Sequence, residues 1–194
     1  MFGSSTDIVN ASKSLGALSG ASVVSSGGVI TITLGGNGLN IVNLTIPNGA
    51  NITGINIVNA NGVTPTGVVI NVNGDNLNFN GGSFNLGTLG TKQVLFNFTN
   101  ATSLNLSSLA FEGALLAPLA TVNFNNGHID GALIANNFIG NGELHEVGFG
   151  DPLPAYTASG GSAPTPEPGS LLIFGVGLVG VAILRRRLFS SQPS

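Results

Sequence analysis

The sequence predicts an all-β body, a parallel β-helix or solenoid, joined by a linker to a single C-terminal transmembrane helix. Three observations carry that prediction: an internal repeat, period-two alternation within each repeat unit, and an apolar run near the C-terminus closed by arginines. An antiparallel β-sandwich is the alternative arrangement of the same strands.

The repeat comes first because it fixes the strands. Slid by 18 residues, Phe111-Glu-Gly-Ala-Leu-Leu-Ala117 falls on Ile129-Asp-Gly-Ala-Leu-Ile-Ala135, and Leu104-Asn-Leu106 falls on Val122-Asn-Phe124. A looser copy places Val69-Ile-Asn-Val72 on Leu95-Phe-Asn-Phe98 at an offset of 26, and Leu77-Asn-Phe79 on Leu104-Asn-Leu106 at 27. Each unit alternates apolar and polar residues, the pattern of a strand with one buried face. Such a unit gains a core by stacking on its neighbours, so Leu104 over Val122 and Leu115 over Leu133 are expected to form apolar ladders. Seven Asn-Gly pairs, beginning at Asn37, Asn48, Asn61, Asn73, Asn80, Asn126 and Asn141, punctuate the runs. Both residue types tolerate positive φ. Alone they would signal hairpins, but matching from unit to unit favours coils, with Gly113 and Gly131 at turns. A short helix over residues 11–18 is expected beside them.

Composition narrows the class. A chain of 194 residues has room for one domain and a tail. Charged residues are 7% and hydrophobic ones 42%, a balance opposite to that of disordered chains. Glycine numbers 30, asparagine is nearly as frequent, and the absence of cysteine removes disulfides and thiolate metal sites. Residues 1–166 hold Lys13 and Lys92 against seven acids, while the tail holds Glu167 against Arg185, Arg186 and Arg187. A mildly acidic body without a basic stripe gives no footprint for nucleic acid. The N-terminus lacks a basic opening and an apolar signal core. With an exported body, that predicts a misplaced start or a missing upstream part.

Chemistry-bearing residues are few. Glu112 and Asp130 occupy equivalent repeat positions and are expected about 5 Å apart at inter-strand spacing, near the separation in retaining glycosidases. They define the alternative reading, a polysaccharide-active β-helix enzyme. Each, however, follows an apolar residue and precedes glycine at an outward turn, with no Arg, Lys or Tyr nearby in sequence. No catalytic residue is therefore expected. His128 and His145, with Glu143, Glu146 and Asp130, lack the compact spacing of zinc sites and the carboxylate density of calcium sites, so no metal or cofactor is expected. Gly35-Gly36-Asn37-Gly38 is followed by no lysine and is not a phosphate loop. Rows of Asn, Thr and Ser on stacked coils suit many weak hydrogen bonds to carbohydrate or matrix. Ice contact fits less well, because Thr31, Thr33, Thr45 and Thr53 recur at no single coil position.

The chain divides into the solenoid body (1–156), a Gly/Ser/Pro-rich linker (157–168) and a sorting helix with a basic cluster (169–189). The span reads Leu171, Leu172, Ile173, Phe174, Gly175, Val176, Gly177, Leu178, Val179, Gly180, Val181, Ala182, Ile183 and Leu184. As a helix it measures about 21 Å, against a hydrocarbon core of about 30 Å. Gly169 and Ser170, snorkelling arginines, Leu188 and Phe189 extend it enough to span. Arg185, Arg186 and Arg187 stay cytoplasmic by the positive-inside rule, which places residues 1–166 across the membrane.

Pro166-Glu167-Pro168, the short apolar span and the arginine cluster, in that order, resemble the PEP-CTERM sorting signal of exported bacterial proteins. The resemblance implies that Pro166, Glu167 and Pro168 are recognised by an exosortase, a membrane-embedded transpeptidase-like enzyme. The tail then anchors the protein in the inner membrane only transiently, and a permanent anchor is the other outcome. The body resembles the choice-of-anchor A family through Val94-Leu-Phe-Asn-Phe98, Phe111-Glu-Gly-Ala-Leu-Leu-Ala-Pro118, Ile129-Asp-Gly-Ala-Leu-Ile-Ala135 and Gly142-Glu-Leu-His145. That resemblance covers residues 68–154 and implies a repetitive adhesin or surface component, with exopolysaccharide or other matrix material as partner. The family's upstream glycine-rich strands are missing here, a further pointer to an N-terminally truncated chain.

Overall fold

The computed structural model describes residues 4–154. They form one α-helix, α1 (Ser5–Gly16), and eleven strands. The strands are β1 (Ala21–Val24), β2 (Gly28–Leu34), β3 (Leu39–Thr45), β4 (Asn51–Asn59), β5 (Gly67–Asn73), β6 (Asn76–Asn85), β7 (Val94–Phe98), β8 (Ser103–Glu112), β9 (Ala114–Asp130), β10 (Leu133–Gly140) and β11 (Glu143–His145). Every strand pair among the described residues is parallel, which removes the antiparallel sandwich. No described helix is long and apolar enough to cross a membrane. The linker, Pro166–Pro168, the apolar span and Arg185–Arg187 lie outside the described residues.

The chain coils so that three strips of parallel pairing face outward. The first side stacks β1, β3, β5, β7, the start of β9 and the start of β10. The second stacks Asn51–Ile52, Asn76–Asn80, Ser103–Ser107, Thr121–Asn125 and Asn137–Gly140. The third pairs β2 with the end of β4 and that with Ser83–Asn85, and, further along the coil, Leu109–Glu112 with Gly127–Asp130 and Asp130 and its neighbours with β11. The registers agree with the repeat: Val69 pairs Leu95, Leu77 pairs Leu104, Leu104 pairs Val122 and Leu115 pairs Leu133. Coils extend well upstream of residue 69, since β3 pairs β5 at an offset of 28 and β2 pairs β4.

Alternation sends one residue in two into the coil. Val42, Ile70, Phe96 and Leu115 stack from rung to rung, as do Leu77, Leu104 and Val122, and all are buried in one apolar cluster. Phe79, Phe96 and Phe111 are buried within it, and half-buried Phe84 packs against them, its ring centroid 4.8 Å from that of Phe111, edge to face. That geometry is favoured by the ring quadrupoles and adds about 0.5–1.5 kcal/mol per pair to simple burial. Close stacking explains the repeated Gly after Glu112 and Asp130. A Cβ on Gly131 would lie 2.0 Å from the Gly113 carbonyl oxygen, so only glycine permits this rung spacing.

Helix α1 begins earlier than the sequence expectation of residues 11–18. Asp7 fixes the start: its carboxylate accepts from the Ser4 backbone N–H at 2.7 Å, the reciprocal half of a capping box. Ile8, Ser12 and Leu15 form a stripe at helical spacing, and Leu15 packs with Val69, Leu95, Ala114 and Leu116 on the outer surface of the first side. This second cluster explains why β5 and β7 are buried on both faces.

A column of asparagines joins helix to sheet. Asn43, Asn71 and Asn97 are register partners. Asn71 Nδ2 donates to Asn43 Oδ1 at 3.0 Å, and Asn97 Nδ2 to Asn71 Oδ1 at 2.9 Å. The same amides donate to helix-side carbonyls: Asn97 to Ser12 (2.9 Å), Asn71 to Leu15 (2.8 Å) and Asn43 to Leu18 (3.1 Å). The match is geometric, since three helical residues rise about 4.5 Å and neighbouring strands lie about 4.8 Å apart. It also gives Leu15 O, which accepts from the Leu18 backbone N–H at 3.1 Å, a second donor at the end of the helix.

Candidate functional site

With the first side roofed by α1 at β5, β7 and the start of β9, the second presents a polar wall bordered by Ile139, exposed beside its register partner Asn123. Three rungs place Asn76, Asn78, Asn80 over Ser103, Asn105, Ser107 over Thr121, Asn123, Asn125, all in register. None of the nine is buried and none carries a charge. Inward neighbours Leu77, Phe79, Leu104, Leu106, Val122 and Phe124 hold the strands from below, so the grid is rigid by construction. Within it Asn105 Nδ2 donates to Asn78 Oδ1 at 2.9 Å and Asn123 Nδ2 to Asn105 Oδ1 at 3.0 Å. Each amide engaged this way keeps a second N–H and a second oxygen lone pair for an outside partner.

The outward threonines do not stack. Thr31 pairs Asn56, Thr33 pairs Val58 and Thr45 pairs Asn73, so there is no threonine-on-threonine column at these positions. A concave region of about 320 Å³ lies beside the end of α1, lined by Gly16, Asn43, Thr45, Asn71, Asn73, Thr99 and Asn100. Its lining contains no acid or base.

At the C-terminal end of the third side the titratable residues meet. Ser108 and Asn126, register-equivalent corners with φ of 51° and 60°, swing the chain from the second side to the third. Glu112 then pairs Asp130, as the repeat predicts, and Asp130 pairs His145; His128 pairs Glu143 beside them. His145 Nδ1 donates to Asp130 Oδ1 at 2.6 Å, and its Nε2 lies 3.3 Å from Glu143 Oε2. His128 Nε2 is 3.9 Å from Asp130 Oδ2, and the two imidazoles stack with centroids 5.5 Å apart.

Electrostatics follow from that packing. Partial burial, then the Asp130 carboxylate, push the Glu112 carboxyl above the usual range, while His128 pulls it back. The hydrogen bond to Asp130 raises His145 above the usual imidazole range, helped by the charges of Asp130 and Glu143 and opposed by slight desolvation. Glu146, grouped with these residues on sequence spacing, lies beyond the last residue of β11, and Glu112 takes a place near His128 and Asp130 instead. Sequence reasoning missed both Glu112 as a neighbour of the histidines and the nine-position wall. The signal for the wall was present in Asn78, Asn105 and Asn123, which recur at the repeat offsets of 27 and 18.

The described residues thus define a parallel solenoid-like protein, flanked by one helix on an asparagine column and showing an uncharged hydrogen-bonding face. Residues 3–146 match the family model described as "Putative Ice-binding-like adhesive domain", and the chain belongs to that family. Residues 164–187 match the PEP-CTERM protein-sorting motif, which contains Pro166–Pro168, the apolar span and Arg185–Arg187 and implies an exported protein sorted by an exosortase. Neither match carries the choice-of-anchor A name. No curated protein and no solved structure matches the chain.

Proposed function

We propose that this is an exported bacterial surface protein, adhesin-like or structural, whose second side binds exopolysaccharide or another hydroxyl-rich matrix component. The observation that carries this reading is the nine-position wall, uncharged, in register and open to solvent. A polysaccharide offers alternating donors and acceptors along a regular chain, and a rigid grid meets it through many weak bonds without ordering flexible side chains. Membership of an adhesive-domain family supports the same reading. The choice-of-anchor A resemblance belongs to this proposal too, as a body of the same kind carrying one of several attachment signals.

Delivery is assigned to the tail. Exosortase recognises Pro166–Pro168 while the apolar helix holds the chain briefly in the inner membrane, and processing leaves the body at the cell surface or in the extracellular matrix. The protein performs no catalysis on this account. Among the described residues Asp130 makes ion pairs to His128 and His145, and Glu112 makes none. The enzyme reading would need them to cleave the polymer that the wall holds.

One experiment separates these readings. Beads coated with the protein are scored for retention of exopolysaccharide from the producing bacterium, alongside release of reducing ends. Retention lost on combining Asn78→Ala, Asn105→Ala and Asn123→Ala, with the fold intact by circular dichroism, supports adhesion. Reducing ends that disappear in the Glu112→Gln, Asp130→Asn double variant would establish the enzyme instead.

A further inference from the structure

We propose that Glu112, His128 and Asp130 bind one divalent ion of the zinc class on the third side, with His145 and Glu143 as its supporting shell. Glu112, His128 and Asp130 each offer one ligand atom, and the three atoms lie within 4.8 Å of one another. Around a tetrahedral zinc with bonds of about 2.0–2.2 Å, ligand atoms lie about 3.4 Å apart. His128 Nε2 and Asp130 Oδ2, at 3.9 Å, lie about half an ångström beyond that spacing, and Glu112, within 4.8 Å of both, closes on the ion by rotation of its longer side chain. An imidazole with two carboxylates suits a borderline metal, whereas calcium takes six to eight oxygens, more than this cluster offers.

The remaining contacts are those of a supported ligand. Asp130 uses Oδ1 to accept from His145 at 2.6 Å and keeps Oδ2 towards His128. His145 is in turn held by Glu143 at 3.3 Å, so a carboxylate, imidazole, carboxylate chain fixes the orientation of Asp130. Carboxylate and imidazole chains of this kind orient ligands, and their loss lowers metal affinity about 10–100-fold. The site depends on the fold, because β8, β9 and β11 each contribute, and residues 112, 130 and 145 meet through strand register. His128 is 37% and Asp130 30% exposed in the side chain, so a bound ion keeps positions open to solvent and to an outside oxygen donor. Adhesion by the second side does not require the ion.

The test uses the untagged full chain in mild detergent, stripped with chelator and titrated with Zn²⁺ by calorimetry, then with Co²⁺ by visible absorption. The chain holds two histidines, so their ring signals report directly. One ion per chain, a Co²⁺ spectrum of four-coordinate type and a shift centred on His128 are expected. His128→Ala should abolish saturable binding, Glu112→Gln should weaken it more than tenfold, and His145→Gln should weaken it about 10–100-fold. Glu146→Gln, outside the cluster, should leave it unchanged. Absence of saturable Zn²⁺ uptake, or uptake indifferent to both His128→Ala and Glu112→Gln, overturns the proposal. Circular dichroism of each variant separates lost ligation from lost fold.

Discussion

The first and second sides of the solenoid each carry a column of register-paired asparagines, linked by the same amide-to-amide bonds near 3 Å, yet one column is roofed and the other open. Asn97 is fully buried and Asn71 nearly so, both under α1. Asn78, Asn105 and Asn123 keep contact with water. Where the helix sits, spare amide donors are consumed by Ser12, Leu15 and Leu18 carbonyls. Where it does not, they are free. A hydrogen bond contributes modestly in water, but an unpaired buried polar group costs about 1–3 kcal/mol. The same ladder is therefore structural on one side and available for recognition on the other.

Substitutions should reproduce that contrast as a gradient. The largest effect falls on Asn97→Ala, which strips donors from Ser12 O and Asn71 Oδ1 and an acceptor from Ser12 Oγ, bonded at 2.6 Å. A loss of about 3 kcal/mol is expected, a fall in Tm of roughly 6–12 °C by calorimetry. Leu15→Ala, which opens a gap in the cluster under α1, should cost about 2 kcal/mol, at the low end for a buried leucine because the cluster is small. Asn43→Ala, at the half-exposed end of the roofed column, should cost about 1 kcal/mol. Asn105→Ala, mid-ladder on the open side, should cost about 0.5 kcal/mol by urea unfolding and yet lower polysaccharide retention several-fold. Equal costs for Asn97→Ala and Asn105→Ala would erase the distinction between the columns.

The coils were legible in the sequence because stacking repeats the same apolar positions. Offsets of 18 and 26–27 became strand registers residue for residue. The upstream coils were not, because the offset changes from pair to pair: β3 meets β5 at a steady 28, while irregularities between Gly28 and Val29 and between Ile52 and Gly54 shift β2 on β4 and β4 on β6. The helix was legible only in part. Ser, Thr and Gly give α1 weak intrinsic propensity, and its stability comes from the Asp7 cap and the apolar surface beneath it. Asn71 and Asn97 are polar residues inside apolar strands, but a column shows its role only once something is seen to cover it. Glu112 joined the histidines unseen because neighbours across strands are set by register, not by distance along the chain.

The most direct test of the account follows side-chain amide resonances of the labelled body during titration with the producing bacterium's exopolysaccharide. Shifts are expected for Asn78, Asn105 and Asn123, with none for Asn43, Asn71 and Asn97. Shifts confined to the roofed column, or none at any asparagine of the wall while polymer is retained, would contradict it.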